Sequence, residues 1–496
     1  MKKKILAGLL CLCMLFASGC SSAGAISTYT ISMAEMPKNF DPQVATGSNE
    51  LLVLTNIYDG LFEYRGGKVV PDVCESYEVS ADKLTYTFTL RGDSTFYLSR
   101  SEQIPVTASD FAFALERVLN PDTKSPYYTN FSHIKSVKAV DDHTLEIKLS
   151  KEDNEFITKL CMPAAFPCNK DFFVNTNGAY GLRVNDILSN GPFTINYLAD
   201  DGSYATLVRV VEMEKGIDRI RISLADEAVT DEEQYKNDKI SGYFASTAAD
   251  GTVFEYENSA FNLIFNTENE ILANEKIRGA FSHYCYALEN SGANLEAVTQ
   301  NYSIFTDAMT IGEKNVNDII TPAVPSYMKE DAKELLMEGL GEMEKMSVGN
   351  LTVLIPSDVS YSVIAENINQ IWQKNLNAFF SVEFLPSSEI EKRVAAKKFD
   401  IAFYSYTPVT NSFMDVIAPF GSYSSSLAEC IENINSTIGT SAAEKYVAQA
   451  QDIILEKAFV VPMCTDKSRY IHKSYFENVD VNPFGHIINL KHATVK

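Results

Sequence analysis

Carboxylates adjoin in this sequence at Asp200-Asp201 and again at Asp231-Glu232-Glu233. Two carboxylates held in a cleft can divide the work of general acid and general base. Nothing around either run supplies a cleft, and such runs read as solvated surface. The six histidines, His133, His143, His283, His472, His486 and His492, are scattered, with no two at the i, i+4 spacing that places two imidazoles on one helix face. No metal site and no cofactor are expected. Of nine cysteines, Cys74, Cys161, Cys168, Cys285, Cys430 and Cys464 lie beyond the first 20 residues and lack zinc-ligand spacing. A loop disulfide between Cys161 and Cys168 is open in an oxidising compartment, while free buried thiols suit most of the others. A Gly-x-Ser-x-Gly elbow, a Gly-x4-Gly-Lys-(Ser/Thr) phosphate cradle and a His-Glu-x-x-His helix are all absent. A triad assembled from distant residues leaves no local trace, so an unrecognised hydrolase stays open. Binding is the better use of the chemistry present, and Tyr58, Tyr64, Tyr77, Tyr404 and Tyr406 are the aromatic candidates.

The elements that would position such a site are clearest from Leu351 onward. Leu351–Ile355 reads as a short apolar strand ending at Pro356. Tyr361–Asn377 carries Ile364, Ile368, Ile371 and Leu376 at helical spacing. Val382–Leu385 is a second strand, Ser388-x-x-Glu391 reads as the cap of a second helix, and Asp400–Tyr404 is a third strand. Strand-helix-strand-helix-strand with short links implies a parallel, doubly wound sheet with right-handed crossovers. Ligands of such sheets bind beyond the carboxyl ends of the strands. That rule points at Ser357–Ser360, including Asp358, and at Ser405–Val409, including Tyr406 and Thr407.

The earlier part of the chain is organised around Asn56–Phe96. It reads Asn-Ile-Tyr-Asp-Gly-Leu-Phe-Glu-Tyr at Asn56–Tyr64, Val-Val-Pro-Asp at Val69–Asp72 and Lys-Leu-Thr-Tyr-Thr-Phe-Thr-Leu-Arg at Lys83–Arg91. Leu84, Tyr86, Phe88 and Leu90 alternate with threonines, the pattern of a strand with one buried face. Thr107-Ala-Ser-Asp110 is a helix start, followed by Phe111, Leu115 and Val118 on one face and stopped by Asn120-Pro121. In this order the segments resemble the family-5 extracellular solute-binding proteins, the oligopeptide and dipeptide receptors of ABC importers. Phe40-Asp41-Pro42, Ser125-Pro-Tyr127 and Gly191-Pro-Phe193 extend the resemblance, and Tyr77 stands where that family usually has Trp.

The resemblance implies an α/β, two-lobed periplasmic-binding-protein-like fold (type II) with an extra subdomain in the first lobe. The expected division is a first-lobe core at 29–50, 176–258 and 466–496, the extra subdomain at 51–175 and a second lobe at 259–465. Phe261–Asn266, leading into a helix over Asn274–Leu288, and Ala458–Cys464 would be the two chain crossings between the lobes. It also implies ligand contacts from Tyr58, Tyr404, Tyr406, Thr407, Val409, Ser357 and Asp358. Family members carry an Asp after the third strand that holds a peptide's amino terminus, and here Val409 takes that place. An ammonium in a closed cleft needs a carboxylate, so either another acid supplies it, with Asp415 or Asp41 as candidates, or the ligand has no free amino terminus.

At the start of the chain, Lys2, Lys3 and Lys4 precede the apolar run Ile5–Phe16 and the small-residue site Ala17-Ser18-Gly19-Cys20. This is the layout of a secretory signal over 1–19, and the run is shorter than the roughly 20 residues that span a bilayer. Cys20 after Ser-Gly resembles a lipoprotein processing site, which would make Cys20 the acylated first residue and 20–28 a tether; an ordinary cleaved signal is the alternative. Sixty-five acidic residues against 42 basic give a net charge of −23, which disfavours nucleic acid and anionic lipid headgroups as partners. The expectation is therefore an exported monomer, lipid-anchored on the outer face of the cytoplasmic membrane or periplasmic. It would do no chemistry on a peptide or other small solute, and would deliver it to an ABC permease with its ATPase. The same fold serving a non-peptide solute or signalling, and an exported hydrolase, are the alternative readings.

Overall fold

The computed structural model describes residues 27–98, 102–153, 155–226, 228–245, 250–285, 298–311, 314–359, 361–408, 411–437 and 441–496. The signal segment and Cys20 lie outside these residues, as does Val409. Among the described residues no helix is long and apolar enough to cross a membrane.

The strand-helix-strand-helix-strand reading is realised as Thr352–Pro356, Ser362–Leu376, Ser381–Leu385, Ser387–Ala395 and Ile401–Tyr406. Thr352–Pro356 pairs in parallel with both of the other strands and lies between them. The first crossover therefore moves outward and the second moves back across the first strand. With both crossovers right-handed, their helices must fall on opposite faces. Packing agrees: Val353 and Ile355 share a core with Ile364, Ile368 and Trp372 of the first helix, while Leu354 and Ala402 share another with Ile390 of the second. One cap differs from expectation. Ser388 is already inside the second helix, Pro386 holds the cap position, and no side chain of that residue can cap.

This sheet is continued by two long strands, Thr252–Phe265 and Val460–His472. They pair antiparallel from Thr252↔His472 to Ile264↔Val460, with register shifts at Glu257/Ser259 and Phe261/Asn262. The sequence marked only the apolar halves of these strands. Their polar halves, Glu255-Tyr-Glu257 and Asp466-Lys-Ser-Arg469, are held by cross-strand pairing and by Arg469 Nε donating to Glu255 at 2.7 Å. These strands link the second lobe to the first. The helix after the first crossing is Glu275–Ser282, capped by the Asn274 side chain; it gives way to a turn at 283–285, short of the expected end at Leu288, which itself lies outside the described residues.

The first lobe is built on a four-stranded sheet in the order Thr28–Met33, Arg219–Leu224, Tyr204–Arg209, Phe193–Leu198. Its core holds Tyr29, Ile31, Phe193, Leu207 and Ile222 together with Leu51–Leu54, Ile57 and Tyr58. The helix Ser48–Ile57 thus packs with this core, although the expectation put residue 51 at the start of the extra subdomain. A second four-stranded antiparallel sheet, Cys74–Val79, Thr85–Leu90, Thr144–Leu149, Ile134–Ala139, carries its own core of Tyr86, Phe88, Leu90, Leu145 and Ile147 under Phe111, Leu115 and Val118. That helix, Ala108–Leu119, starts on the expected cap: the Asp110 carboxylate accepts from the Thr107 backbone N–H at 2.8 Å and from its hydroxyl at 3.0 Å. Gly191 shows why the signature turn needs glycine. Its N–H donates to the Ile57 carbonyl at 2.8 Å, and a Cβ there would come within 2.8 Å of the Ile57 carbonyl and the Tyr58 amide nitrogen.

Candidate functional site

A cavity of about 910 Å³ lies between the lobes. Volumes of roughly 300–1,000 Å³ suit small organic ligands, so this one is at the upper end of that range. Its walls come from every unit of the fold. The first-lobe core gives Thr46 and Leu51, and the extra subdomain gives Phe62, Tyr64, Thr158 and Met162. Asp358, Tyr361, Tyr404, Tyr406 and Thr407 come from the second lobe, Ser259 and Asp466 from the hinge strands, and Phe484, His486 and Lys491 from the C-terminal segment.

The second-lobe wall is formed where the doubly wound sheet predicts it. The Tyr404 and Tyr406 rings lie 6.1 Å apart, and burial pushes both phenols above their ordinary range. The Tyr406 hydroxyl donates to the Asp415 carbonyl at 3.2 Å. Thr407 Oγ1 is 2.7 Å from Ser259 Oγ, which ties the end of the third strand to the first hinge strand. The Tyr361 and Ser405 hydroxyls meet at 3.1 Å. Asp358 faces the cavity with its carboxylate engaged: it accepts from the Ser387 N–H at 3.0 Å and hydroxyl at 2.6 Å, holding the start of the helix Ser387–Ala395.

The opposite wall carries a buried charge cluster. Lys491 Nζ lies 3.2 Å from Asp59, 3.3 Å from Glu63 and 3.2 Å from Asp72. Burial alone would favour the neutral amine, but these three carboxylates overrule it and hold Lys491 firmly protonated. Glu63 also meets His492 Nε2 at 3.1 Å and Asn489 Nδ2 at 2.7 Å. Burial pushes its carboxyl up, and the His492 and Lys491 contacts outweigh that and bring it down to about 2. Asp466 is different. It stands on the second hinge strand, burial raises its carboxyl to about 6, and no described residue gives it a hydrogen bond.

Of the residues marked from sequence, Tyr64, Tyr404, Tyr406, Thr407 and Asp358 line the cavity. Tyr77, Tyr58 and Ser357 do not. Tyr77 is exposed on the strand Cys74–Val79, its ring against Phe62 and Phe88. Tyr58 is fully buried in the first-lobe core, stacked on Phe166 at 5.8 Å, with its hydroxyl 3.2 Å from that of Tyr180. Ser357 gives its N–H to the Leu385 carbonyl at 2.8 Å and stays at the sheet edge. Neither acid offered as a replacement for the family's Asp reaches the cavity: Asp41 is bound by Arg117, with Nη1 at 3.0 Å, in a buried pair, and Asp415 is not among the lining residues. Cys161 and Cys168 are free thiols; Cys161 lines the cavity and Cys168 is packed beside Arg117. Sequence reasoning missed Glu63, Asp466, His486 and Lys491. The available signal was weak, an acid and two bases in otherwise strand-like or irregular C-terminal sequence. Among the described residues no group of three or more His, Cys, Asp or Glu is arranged to hold a metal ion.

Residues 68–427 match the model of the bacterial extracellular solute-binding proteins, family 5 Middle. The chain is similar to the dipeptide-binding protein DppE of Bacillus subtilis (strain 168), with 21% identity over 495 residues covering 91% of this chain and 89% of that protein. In fold it is similar to Listeria monocytogenes OppA bound to peptide, with a TM-score of 0.76 and 19% identity over 95% of this chain and all of that one. The pheromone receptor PrgZ gives the same TM-score of 0.76 at 19% identity, covering 95% of this chain and 100% of that chain. These likenesses identify the architecture as the two-lobed, type II periplasmic-binding fold with mixed α/β lobes. Belonging follows from the family match, which spans well over half of the chain: this protein is a member of the bacterial extracellular solute-binding proteins of family 5.

Proposed function

We propose that this protein is the receptor of an ABC importer, capturing peptides between its two lobes and passing them unaltered to a membrane permease driven by an ATPase. The observation that carries the reading is the large cavity at the junction of both lobes, floored by the two hinge strands. Relatives named for dipeptide and oligopeptide binding support peptides as the solute class. Ligand stabilises the closed arrangement by its differential affinity for it, and main-chain pairing of an extended peptide would give affinity with little dependence on side chains.

Cys20 is the proposed lipid attachment point, with the residues between it and the strand Thr28–Met33 as a tether, placing a monomer on the outer face of the cytoplasmic membrane. The partition of the lobes at 29–50, 176–258 and 466–496, with 259–465 as the second lobe, belongs to the same proposal, with the helix Ser48–Ile57 joined to the first-lobe core. The replacement of the family's Asp by Val409 favours a second reading, a solute without a free amino terminus or a signalling role.

Thermal unfolding with a pool of tri- to hexapeptides, set against sugars, amino acids and polyamines, tests the proposal. A bound ligand at 100 times its Kd adds about 2.7 kcal/mol of stability, so peptides must raise the melting temperature. A rise only with non-peptide solutes would favour the second reading. Cleaved peptides in the mixture would reveal an enzyme.

A further inference from the structure

Among the described residues the cavity walls hold four carboxylates, Glu63, Asp358, Glu391 and Asp466, against one ammonium, Lys491. Two of the four are engaged by neighbouring side chains, and a third keeps its contact with solvent. Glu63 is bound by Lys491, His492 and Asn489, Asp358 is bound by Ser387, and Glu391 stands exposed on its helix. Lys491 in turn is surrounded by Asp59, Glu63 and Asp72, so it has no charge to spare for a ligand. Asp466 remains, partly buried, with no hydrogen bond from any described residue. Its strand neighbour Arg469 is turned to Glu255 at 2.7 Å.

Register fixes where Asp466 points. It pairs across the hinge strands with Ser259, and directly paired residues share a face of the sheet. Ser259 faces the cavity, with its hydroxyl on Thr407, so the Asp466 carboxylate faces it too. The third strand of the doubly wound sheet is the next neighbour, pairing Tyr406 with Ala260. Asp466 therefore sits two strand spacings, about 10 Å, from Thr407. A carboxylate that closure removes further from water needs a cation or a proton. Lys491 is held by its three carboxylates and Arg469 by Glu255, so among the described residues no cation is within hydrogen-bond reach of Asp466, and a cationic group of the ligand can take that place.

We infer that Asp466, on the second hinge strand, is the specificity-determining anchor for a cationic group of the ligand, an ammonium or guanidinium. This rests on the reading of the cavity as a peptide-capturing cleft. In a peptide that group is the amino terminus or a Lys or Arg side chain, and both share the chemistry the site recognises. Because Asp466 belongs to a strand that links the lobes, a cation bound there contacts the hinge itself. The sequence position of the anchor is thereby moved from the loop after the third strand to a strand two places away in the sheet.

Three synthetic pools of tri- to pentapeptides built from Ala, Gly, Leu and Tyr decide the matter by calorimetric titration. The first has free amino termini, the second is N-acetylated and carries one Lys per peptide, and the third is N-acetylated without Lys. Wild type should bind the first or the second at least about 30-fold more tightly than the third, and Asp466→Asn should lose that margin. Preference for the first assigns the amino terminus, and preference for the second assigns a side-chain cation. Equal binding of the third pool, or an Asp466→Asn affinity within threefold of wild type, overturns the inference while leaving peptide capture intact. Failure of all three pools on wild type sinks the peptide reading, and the inference with it. Should Asp466→Asn not fold, Asp466→Ser takes its place in the same titrations, with the same outcomes.

Discussion

The Ser412 hydroxyl donates to Glu155 Oε2 at 3.1 Å across 257 residues of sequence, joining the second lobe to the extra subdomain of the first. Burial raises the Glu155 carboxyl from 4.5 to about 7, with Asp153 and Asp415 adding to the rise and Lys159 and the Ser412 bond opposing it. Between those two values the folded protein holds a proton that the unfolded chain releases, so stability falls as pH rises through that window. The fall attributable to this group is about 3 kcal/mol at most. Glu155→Gln should be the flatter of the two proteins in urea denaturation between pH 5 and pH 8. Parallel profiles for variant and wild type would show that Glu155 titrates normally.

Asp466 gives a second pH effect with the same sign and a lower window. Its carboxyl is raised from 3.8 to about 6 by burial, with Glu257 reinforcing and Arg469 opposing; its charge in turn raises Tyr256, Tyr361 and Cys464, which face it. Ligand-free stability should fall as pH rises through this interval, whereas affinity for a cationic peptide should grow over the same interval. In Asp466→Asn the affinity trend should vanish, and the stability fall should shrink to the part that Glu155 retains. Affinity titrations at pH 5 and pH 7.5 on each protein provide the check.

Lys491 joins the C-terminal segment to Asp59, Glu63 and Asp72, which precede it by more than 400 residues. Lys491→Met would leave a group of buried carboxylates with Arg91, 3.4 Å from Asp59, and Arg65, 3.6 Å from Glu63, as nearby guanidinium groups. Removing one partner of a buried pair costs about 3–5 kcal/mol. Chemical denaturation should show a loss of that size, and recovery of part of it at acidic pH, where the carboxylates take up protons.

Trp372 is the single tryptophan of the chain and lies fully buried in the second lobe, its Nε1–H donating to the Phe281 carbonyl at 2.9 Å. It packs with Phe281, Phe380 and Phe403, away from the cavity wall. Its emission should be blue-shifted and change little on ligand binding, even while the lobes close. A large ligand-induced shift in wild type would mean that closure rearranges the second-lobe core. Trp372→Ala should cost about 3–5 kcal/mol.

The sequence by itself determined what depends on near neighbours in the chain. Alternation at Tyr86, Phe88 and Leu90 was enough to place a one-faced strand, and Thr107 with Asp110 was enough to start a helix. Short links between strands and helices after Leu351 were enough to orient a parallel sheet and point to Asp358, Tyr406 and Thr407. Each of these rests on periodicity or capping within a few residues. Tertiary structure decided the rest. Tyr58 is core because Phe166 and Tyr180 close over it, and Asp41 belongs to Arg117, 76 residues away. Asp466 faces the cavity because its strand pairs in one register with Ser259, where a slip of one residue would turn it to the other side. Which face a side chain takes, and which distant charge it meets, is fixed only when strands far apart in the chain are set side by side.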